Sequence, residues 1–344
     1  MTRRADSSAD PPWGEILAAL GLGPPLEINP LGGTAVKKWS VTTAAGRFVV
    51  RVRPAEFADP GSIVFDHQVL RRLAEAGLPV PAPISTPSGR STWEIDCSLY
   101  EVLPWIDGDP FSLDDPQVPA ELGRFLARFH AVFSRDLPKG KAGRLREDHP
   151  DLIEPCLPAL TALADGDRPR RELAAVAEQL SLVRRELDSG LYASLPRAVI
   201  HGDFHPGNVR FCGPQVAALY DFDYLAVQAR LRDLSDALIG FAACRKSPLD
   251  PDDIRSLTQP LVPDAARGLR LVAAYHALDP LSDEEWQAFP WLLRSRWIQM
   301  RVRGSRKVPP GEKVPFVVAG FFEVIDWLDR HGPPFFAELR RGCA

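Results

Sequence analysis

No stretch of the chain holds the unbroken apolar run that a membrane span requires, so no membrane partner is expected. Charge of one sign is also missing. Against 45 Asp and Glu stand 41 Lys and Arg, a formal net charge of −4, which excludes the broad basic surface of a general nucleic-acid binder. Cysteine is sparse and unpatterned: Cys97, Cys156, Cys212, Cys244 and Cys343 are odd in number and contain no C-x-x-C pair. Reduced thiols in a cytoplasm are the expectation. The opening MTRRADSSADPPW lacks the apolar core of a signal peptide. There is no internal repeat, and the 34 prolines fall mainly between periodic segments, where they punctuate rather than form a low-complexity tract. No motif specifies an oligomeric state.

What is present is an ordinary apolar share, 45% of 344 residues, enough for one large domain or two smaller ones. The chemistry concentrates in residues 199–224, VIHGDFHPGNVRFCGPQVAALYDFDY. Two short apolar strand pieces read here, each running into acidic or amide residues: Val199-Ile200 into His201-Gly202-Asp203, and Ala217 to Tyr220 into Asp221 and Asp223. The spacing Asp203-x-x-x-x-Asn208 matches the catalytic loop of protein-kinase-type enzymes, and Asp221 falls where their metal-binding Asp is expected. Phosphoryl transfer asks little covalent help of a protein. It needs an oriented hydroxyl and a divalent cation to neutralise the phosphate oxygens. Asp203 is suited to the hydroxyl, and Asn208 and Asp221 offer the hard oxygen ligands that Mg2+ prefers. On this reading both groups hang from the ends of adjacent buried strands. Two other readings compete. HGDFHPGN could be a bare turn, but a turn does not require a second strand ending in Asp221. His201 and His205 could be a zinc pair, but no third ligand lies nearby in sequence.

HGDFHPGNV followed by LYDFDY resembles the aminoglycoside phosphotransferase / choline kinase-like family, small-molecule kinases that share the protein-kinase fold. The resemblance implies Asp203 as catalytic base, Asn208 and Asp221 as magnesium ligands and Asp223 as a supporting carboxylate. Arg232-Asp233-Leu234 is similar to a family element whose Asp starts a helix and braces the catalytic loop. The fold implied is α+β and two-lobed. Residues 1–12 are a disordered N-terminus, 13–103 a small antiparallel-sheet N-lobe that binds nucleotide, and 104–344 a mainly helical C-lobe with the catalytic loop and the acceptor site. The reaction implied moves the γ-phosphate of ATP to a hydroxyl of a small molecule: an amino alcohol such as homoserine or choline, an aminoglycoside or a sugar. GLPVPAPI and the compact hinge lean the reading towards homoserine or another small amino alcohol. A protein Ser/Thr kinase and a non-catalytic nucleotide binder are the alternatives. The first finds no recognisable activation segment between Tyr224 and Arg232, and the second is opposed by the presence of Asp203, Asn208 and Asp221 together.

For the nucleotide, the resemblance places Gly32, Gly33 and Thr34 in a turn over the phosphates, where glycine permits close backbone approach. It aligns Arg51, in the strand Phe48-Val49-Val50-Arg51-Val52, with the usual Lys, a planar fork in place of a point charge. Arg53 is the nearby competitor, read as turned to the opposite face. Asp66, in the amphipathic segment 63–76, stands where the family has Glu, as the acid that would pair with Arg51; a first-turn acid favoured by the helix dipole is the alternative. Leu103 and Trp105 fall in the hinge that offers adenine its backbone.

Apolar periodicity predicts helices over 13–20, 118–133, a segment marked by Leu173 to Leu187, 234–243, 265–277, 284–303 and 315–330, and strand over 93–102. His130 reads as a packing residue. Trp286, Trp291, Trp297 and Trp327 read as helical core, and Arg294, Arg296, Arg301 and Arg303 as a solvated face, in preference to an acceptor pocket. Asp279, Asp283, Glu284 and Glu285 could serve a polycationic acceptor, although such a run more often starts a helix.

Overall fold

Alternation of buried and polar positions between residues 25 and 104 builds five antiparallel strands: β1 (Pro25–Leu31), β2 (Lys38–Thr43), β3 (Gly46–Val52), β4 (Trp93–Ile95) and β5 (Ser98–Pro104). They lie in the order β1-β2-β3-β5-β4. The computed structural model describes residues 13–32, 37–112, 115–139, 141, 150–250 and 253–343. Val41, Phe48, Val50, Tyr100 and Val102 cluster on one face of the sheet with Trp93 and with Ile16 and Leu17 of α1 (Trp13–Ala19). The strand expected over 93–102 is a hairpin. Asp96 and Cys97 both take left-handed φ, 47° and 60°, as a tight turn between right-twisted strands demands. Neither is glycine, so the usual turn signal is missing.

The other face of the sheet carries charge and meets α2 (Pro60–Glu75). Asp59 caps this helix by accepting the Ser62 N–H at 2.9 Å, with Pro60 opening the first turn. Phe65, Val69, Leu70 and Leu73 form its buried stripe.

The chain divides into a compact unit ending at Ile106 and a second beginning at Asp107. The second is mostly helical. It includes α3 (Val118–Ala131) and the helices Asp167–Glu186, Leu231–Phe241, Ala265–His276 and Asp283–Gly304. The helix expected over 315–330 is two, Lys313–Val318 and Phe321–Cys343, parted at Gly320, whose φ of +66° ends the first helix. Two small ribbons complete the unit: β6 (Arg197–Ile200) pairs with β9 (Ala226–Ala229), and β7 (Val209–Cys212) with β8 (Gln215–Leu219). The strands that lead to Asp203 and Asp221, β6 and β8, are therefore in different ribbons, not adjacent as the sequence implied. Among the described residues no helix is long and apolar enough to cross a membrane.

Candidate active site

β6 is buried, so the chain leaves it at a fixed point. Gly202 turns it there with a φ of +79°, and a Cβ at this position would lie 2.5 Å from the Tyr224 carbonyl oxygen. Only glycine fits. Asp233, fully buried in the first turn of helix Leu231–Phe241, accepts the N–H of His201 at 2.7 Å and of Gly202 at 2.9 Å. Its Oδ2 also faces His130 Nε2 at 3.2 Å, while His130 Nδ1 meets the Tyr275 hydroxyl at 2.8 Å. Burial pushes the Asp233 carboxyl up, but the His130 bond, the nearby imidazoles and the Gly202 N–H more than offset it and hold it low. Arg232 closes the brace by donating to the Gly202 carbonyl at 2.9 Å. His130 is thus a packing residue with a structural hydrogen bond, as read.

Asn208 Nδ2 donates to the Asp203 carbonyl at 2.9 Å and approaches its Oδ2 at 3.4 Å. The Asn208 carbonyl accepts the Tyr220 N–H at 2.8 Å, which extends the β7–β8 pairing by one step and carries the chain to Asp221. Asp221 holds a φ of +62°, an unusual backbone for a side chain with a Cβ. Behind it the buried Lys141 donates to the Asp223 carbonyl at 3.0 Å. The zinc-pair reading fails on His201. Its Nε2 donates to the Tyr220 carbonyl at 2.8 Å and its Nδ1 accepts the Asp203 N–H at 3.2 Å, which uses both ring nitrogens. Among the described residues no cluster of three or more His, Cys, Asp or Glu is placed to hold a metal. Magnesium asks for less, because it keeps waters and shares substrate phosphates. The Asn208 amide fits that demand. Its nitrogen is anchored, and among the described residues no hydrogen bond claims its oxygen.

Asp203 is half-buried between two cations. His205 Nε2 lies 3.4 Å from its Oδ2, and Arg296 Nη2 lies 3.8 Å from its Oδ1. Burial raises the carboxyl, yet His205, then Arg296 and His201, hold it well below the ordinary carboxylate range. Conversely, burial disfavours a charged His205, but Asp203 and the further carboxylates Asp221 and Asp236 raise its pKa. Arg296 is fixed through Nε to buried Asp236, which also faces Arg232 at 3.4 Å. Burial, assisted by Asp203, raises the Asp236 carboxyl against the pull of the two guanidiniums.

In the first unit, Arg51 Nε donates to Glu101 Oε2 at 2.9 Å. Arg53 donates to Glu101 Oε1 at 2.7 Å and to Asp66. His67 Nε2 meets Glu101 Oε1 at 2.8 Å. Arg53 therefore does not face away from Arg51: residues two apart in a strand share a face. Arg53 makes an ion pair with Asp66. Arg53 is almost wholly buried and Arg51 the more exposed, with side-chain exposures of 1% and 13%. Glu101 pairs across the ladder with Arg51. A lone acid inside the apolar run Leu99 to Leu103 was the signal that could have found it. Leu103 lies opposite Val49, and the Trp105 N–H donates to the Arg47 carbonyl at 3.1 Å. Antiparallel alternation then turns the polar backbone of Leu103 towards β3 and the carbonyl of Pro104 towards the other edge. The backbone groups of Leu103 are thereby engaged with β3. The Arg47 guanidinium stacks 3.6 Å over the Trp105 ring. Gly32 follows the end of β1; Gly33 and Thr34 lie outside the described residues.

The C-terminal arginines correct a second expectation. Arg294, Arg296 and Arg301 are buried, not solvated. Arg294 pairs with Asp329, and Arg301 ties the carbonyls of Thr258, Phe316, Val317 and Ala319. Trp286 and Trp297 are core, as read. Asp279 and Glu285 are both taken by Arg230, and Ser282 with Glu285 makes the capping box of helix Asp283–Gly304. Those two carboxylates are therefore engaged, while Asp283 and Glu284 stay exposed in the first turn of that helix.

Residues 27–281 match the model of the phosphotransferase enzyme family. A homoserine kinase of Methylobacillus flagellatus is 27% identical over 282 residues, 81% of this chain and 79% of that protein. Among solved structures, an aminoglycoside phosphotransferase of Alicyclobacillus acidocaldarius superposes with a TM-score of 0.64 at 17% identity, over 99% of both chains. The amicoumacin kinase hAmiN, in complex with AMP-PNP and Ca2+, gives 0.67 at 15% identity, over 92% of this chain and 94% of that one.

Proposed function

Because this chain belongs to the phosphotransferase enzyme family, we propose that it moves the γ-phosphate of Mg-ATP to the hydroxyl of a small hydroxy compound of the homoserine type. It is a phosphotransferase acting on alcohol groups, built on the kinase-like fold. The observation that carries the finer reading is the Asp203–Asn208 pair. One side chain presents a carboxylate held in its ionised form. The other is tethered through nitrogen with its amide oxygen left for a hard cation.

Asp203 accepts the acceptor's O–H hydrogen bond and orients the oxygen in line with the γ-phosphorus. The new O–P bond forms as the bond to the ADP oxygen breaks, and the proton passes to Asp203. A carboxylate held below its ordinary range is a weak proton acceptor, so the transfer comes late, as suits a loose transition state. Asn208 and Asp221 would hold magnesium, which would supply charge neutralisation on the phosphate oxygens. Arg51, exposed beside its anchored neighbour Arg53, is the cation assigned to the α- and β-phosphates. Homoserine as acceptor is supported by the relatives that match most of this chain under that name, and by Arg230 taking the carboxylates of Asp279 and Glu285.

The test is ADP release from Mg-ATP over a panel of homoserine, choline, ethanolamine, aminoglycosides, methylthioribose and hexoses, with Asp203→Asn as blank. Turnover by homoserine that the variant lacks supports the reading. Turnover confined to aminoglycosides or sugars sinks the acceptor assignment, and none with any acceptor sinks the kinase.

A further inference from the structure

The two oxygens of the Asp203 carboxylate face different neighbours. Oδ2 looks towards Asn208 Nδ2 at 3.4 Å and His205 Nε2 at 3.4 Å, the side of the Asn208 amide. Oδ1 looks towards Arg296 Nη2 at 3.8 Å, beyond hydrogen-bond reach. Arg296 itself is 7% exposed. Its Nε is spent on Asp236, yet neither Nη group makes a hydrogen bond among the described residues. A guanidinium is an arrangement of five donors, and here the two Nη groups lack a hydrogen bond among the described residues yet keep contact with solvent, so an acceptor can reach them. Asp236 and, behind it, Arg232 fix the fork, so it costs little further ordering when it binds.

The Asn208 amide assigned to magnesium lies on the Oδ2 side, so on the kinase reading the phosphate arrives there. What lies on the Oδ1 side is the body of the acceptor whose hydroxyl Asp203 holds. We propose that Arg296 binds a carboxylate of the acceptor, making the substrate class hydroxy acids, amino acids with a side-chain hydroxyl included, rather than simple amino alcohols or aminoglycosides. The proposal rests on the kinase reading above and narrows it. Geometry admits it readily. A hydroxyl bonded to Asp203 and a carboxylate oxygen bonded to Arg296 can be separated by any distance up to about 9 Å, a range that includes the shorter span of a short hydroxy acid. A second positive group, His205, faces Asp203 from its own loop, and Asp236 and Asp221 are the other charges around these groups. Asp236 is engaged by Arg296 and Arg232, so it leaves no open carboxylate for an acceptor ammonium at this edge.

The test uses three acceptors with the same hydroxyl: homoserine, its carboxamide and 3-aminopropan-1-ol. The wild-type enzyme is expected to favour the acid in kcat/KM by about 100-fold or more over both, because a site built for a bidentate oxyanion rejects an analogue that leaves it unpaired. In Arg296→Gln the ratio of acid to amide should fall below about threefold, with the change in KM, and Arg296→Lys should keep part of it. The wild-type comparison stands even where a variant does not fold. An amide or aminopropanol turned over as well as the acid overturns the proposal and leaves the kinase intact. A ratio unchanged in Arg296→Gln, or a uniform fall in kcat with all three acceptors, overturns it too, assigning Arg296 to the phosphoryl group or to Asp203 alone. No ADP with any alcohol overturns the kinase reading itself.

Discussion

Asp233 holds the backbone of His201 from 32 residues further along the chain, its Oδ2 accepting the His201 N–H at 2.7 Å. The same carboxylate takes the Gly202 N–H and faces His130, so one buried acid positions the strand exit from which Asp203 departs. Replacing it by Ala leaves two amides and an imidazole without their acceptor. Asp233→Ala is expected to lose about 3–5 kcal/mol of stability and all measurable turnover. Urea unfolding checks this. A midpoint equal to that of the wild type would remove the brace from the account.

The pH dependence follows from Asp203 and His205. Asp203 is depressed, so its share of stability is present above the ordinary carboxylate value of 3.8 and is lost as pH falls through the lower folded value. His205 is raised, so its share is complete below the ordinary imidazole value of 6.5 and is lost as pH rises through the higher folded value. The pair is therefore whole between those two ordinary values. The acid limb of kcat/KM should lie below the ordinary carboxylate range, and His205→Asn should move it upward. An acid limb that stays in place in the variant would mean His205 does not act on Asp203.

Glu101 receives Arg51, Arg53 and His67 at 2.9, 2.7 and 2.8 Å. Burial raises its carboxyl, but the two arginines and the His67 bond bring it far below normal. Glu101→Gln leaves the Arg53 charge under-compensated in the interior. The expected cost is about 3–5 kcal/mol, read as a lower thermal midpoint. Arg51→Ala, whose side chain is more exposed, should cost little stability and raise the KM for ATP instead. The reverse pattern would exchange the roles of Arg51 and Arg53.

Asn208→Ala removes the tether to Asp203 and one oxygen ligand together. The rate should fall about 100-fold or more and demand more Mg2+ for half-saturation. An unchanged Mg2+ requirement would take Asn208 out of the cation site.

The catalytic loop was legible because its chemistry is written in consecutive residues. His201 to Asn208 and Arg232-Asp233-Leu234 carry both the turn and the groups that hold it. The strand adjacency was not, since β6 and β8 are each closed by partners, β9 and β7, that local pattern does not reveal. The arginines of helix Asp283–Gly304 were misread because helical periodicity treats charge as surface. Only the fold shows Asp236, Asp329 and the carbonyls of residues 258 and 316–319 waiting for them. Arg53 was misplaced through its face, where the period of two already put it beside Arg51.

The central claim is that Asp203 orients an acceptor hydroxyl for transfer of the γ-phosphoryl group. Phosphorus NMR of the enzyme with Mg-ATP and homoserine in 18O-labelled water tests it most directly. The account predicts ADP and an unlabelled phosphomonoester in equal amounts, with both lost in Asp203→Asn while nucleotide binding persists. Labelled inorganic phosphate without a phosphomonoester, or an Asp203→Asn enzyme as active as the wild type, would contradict it.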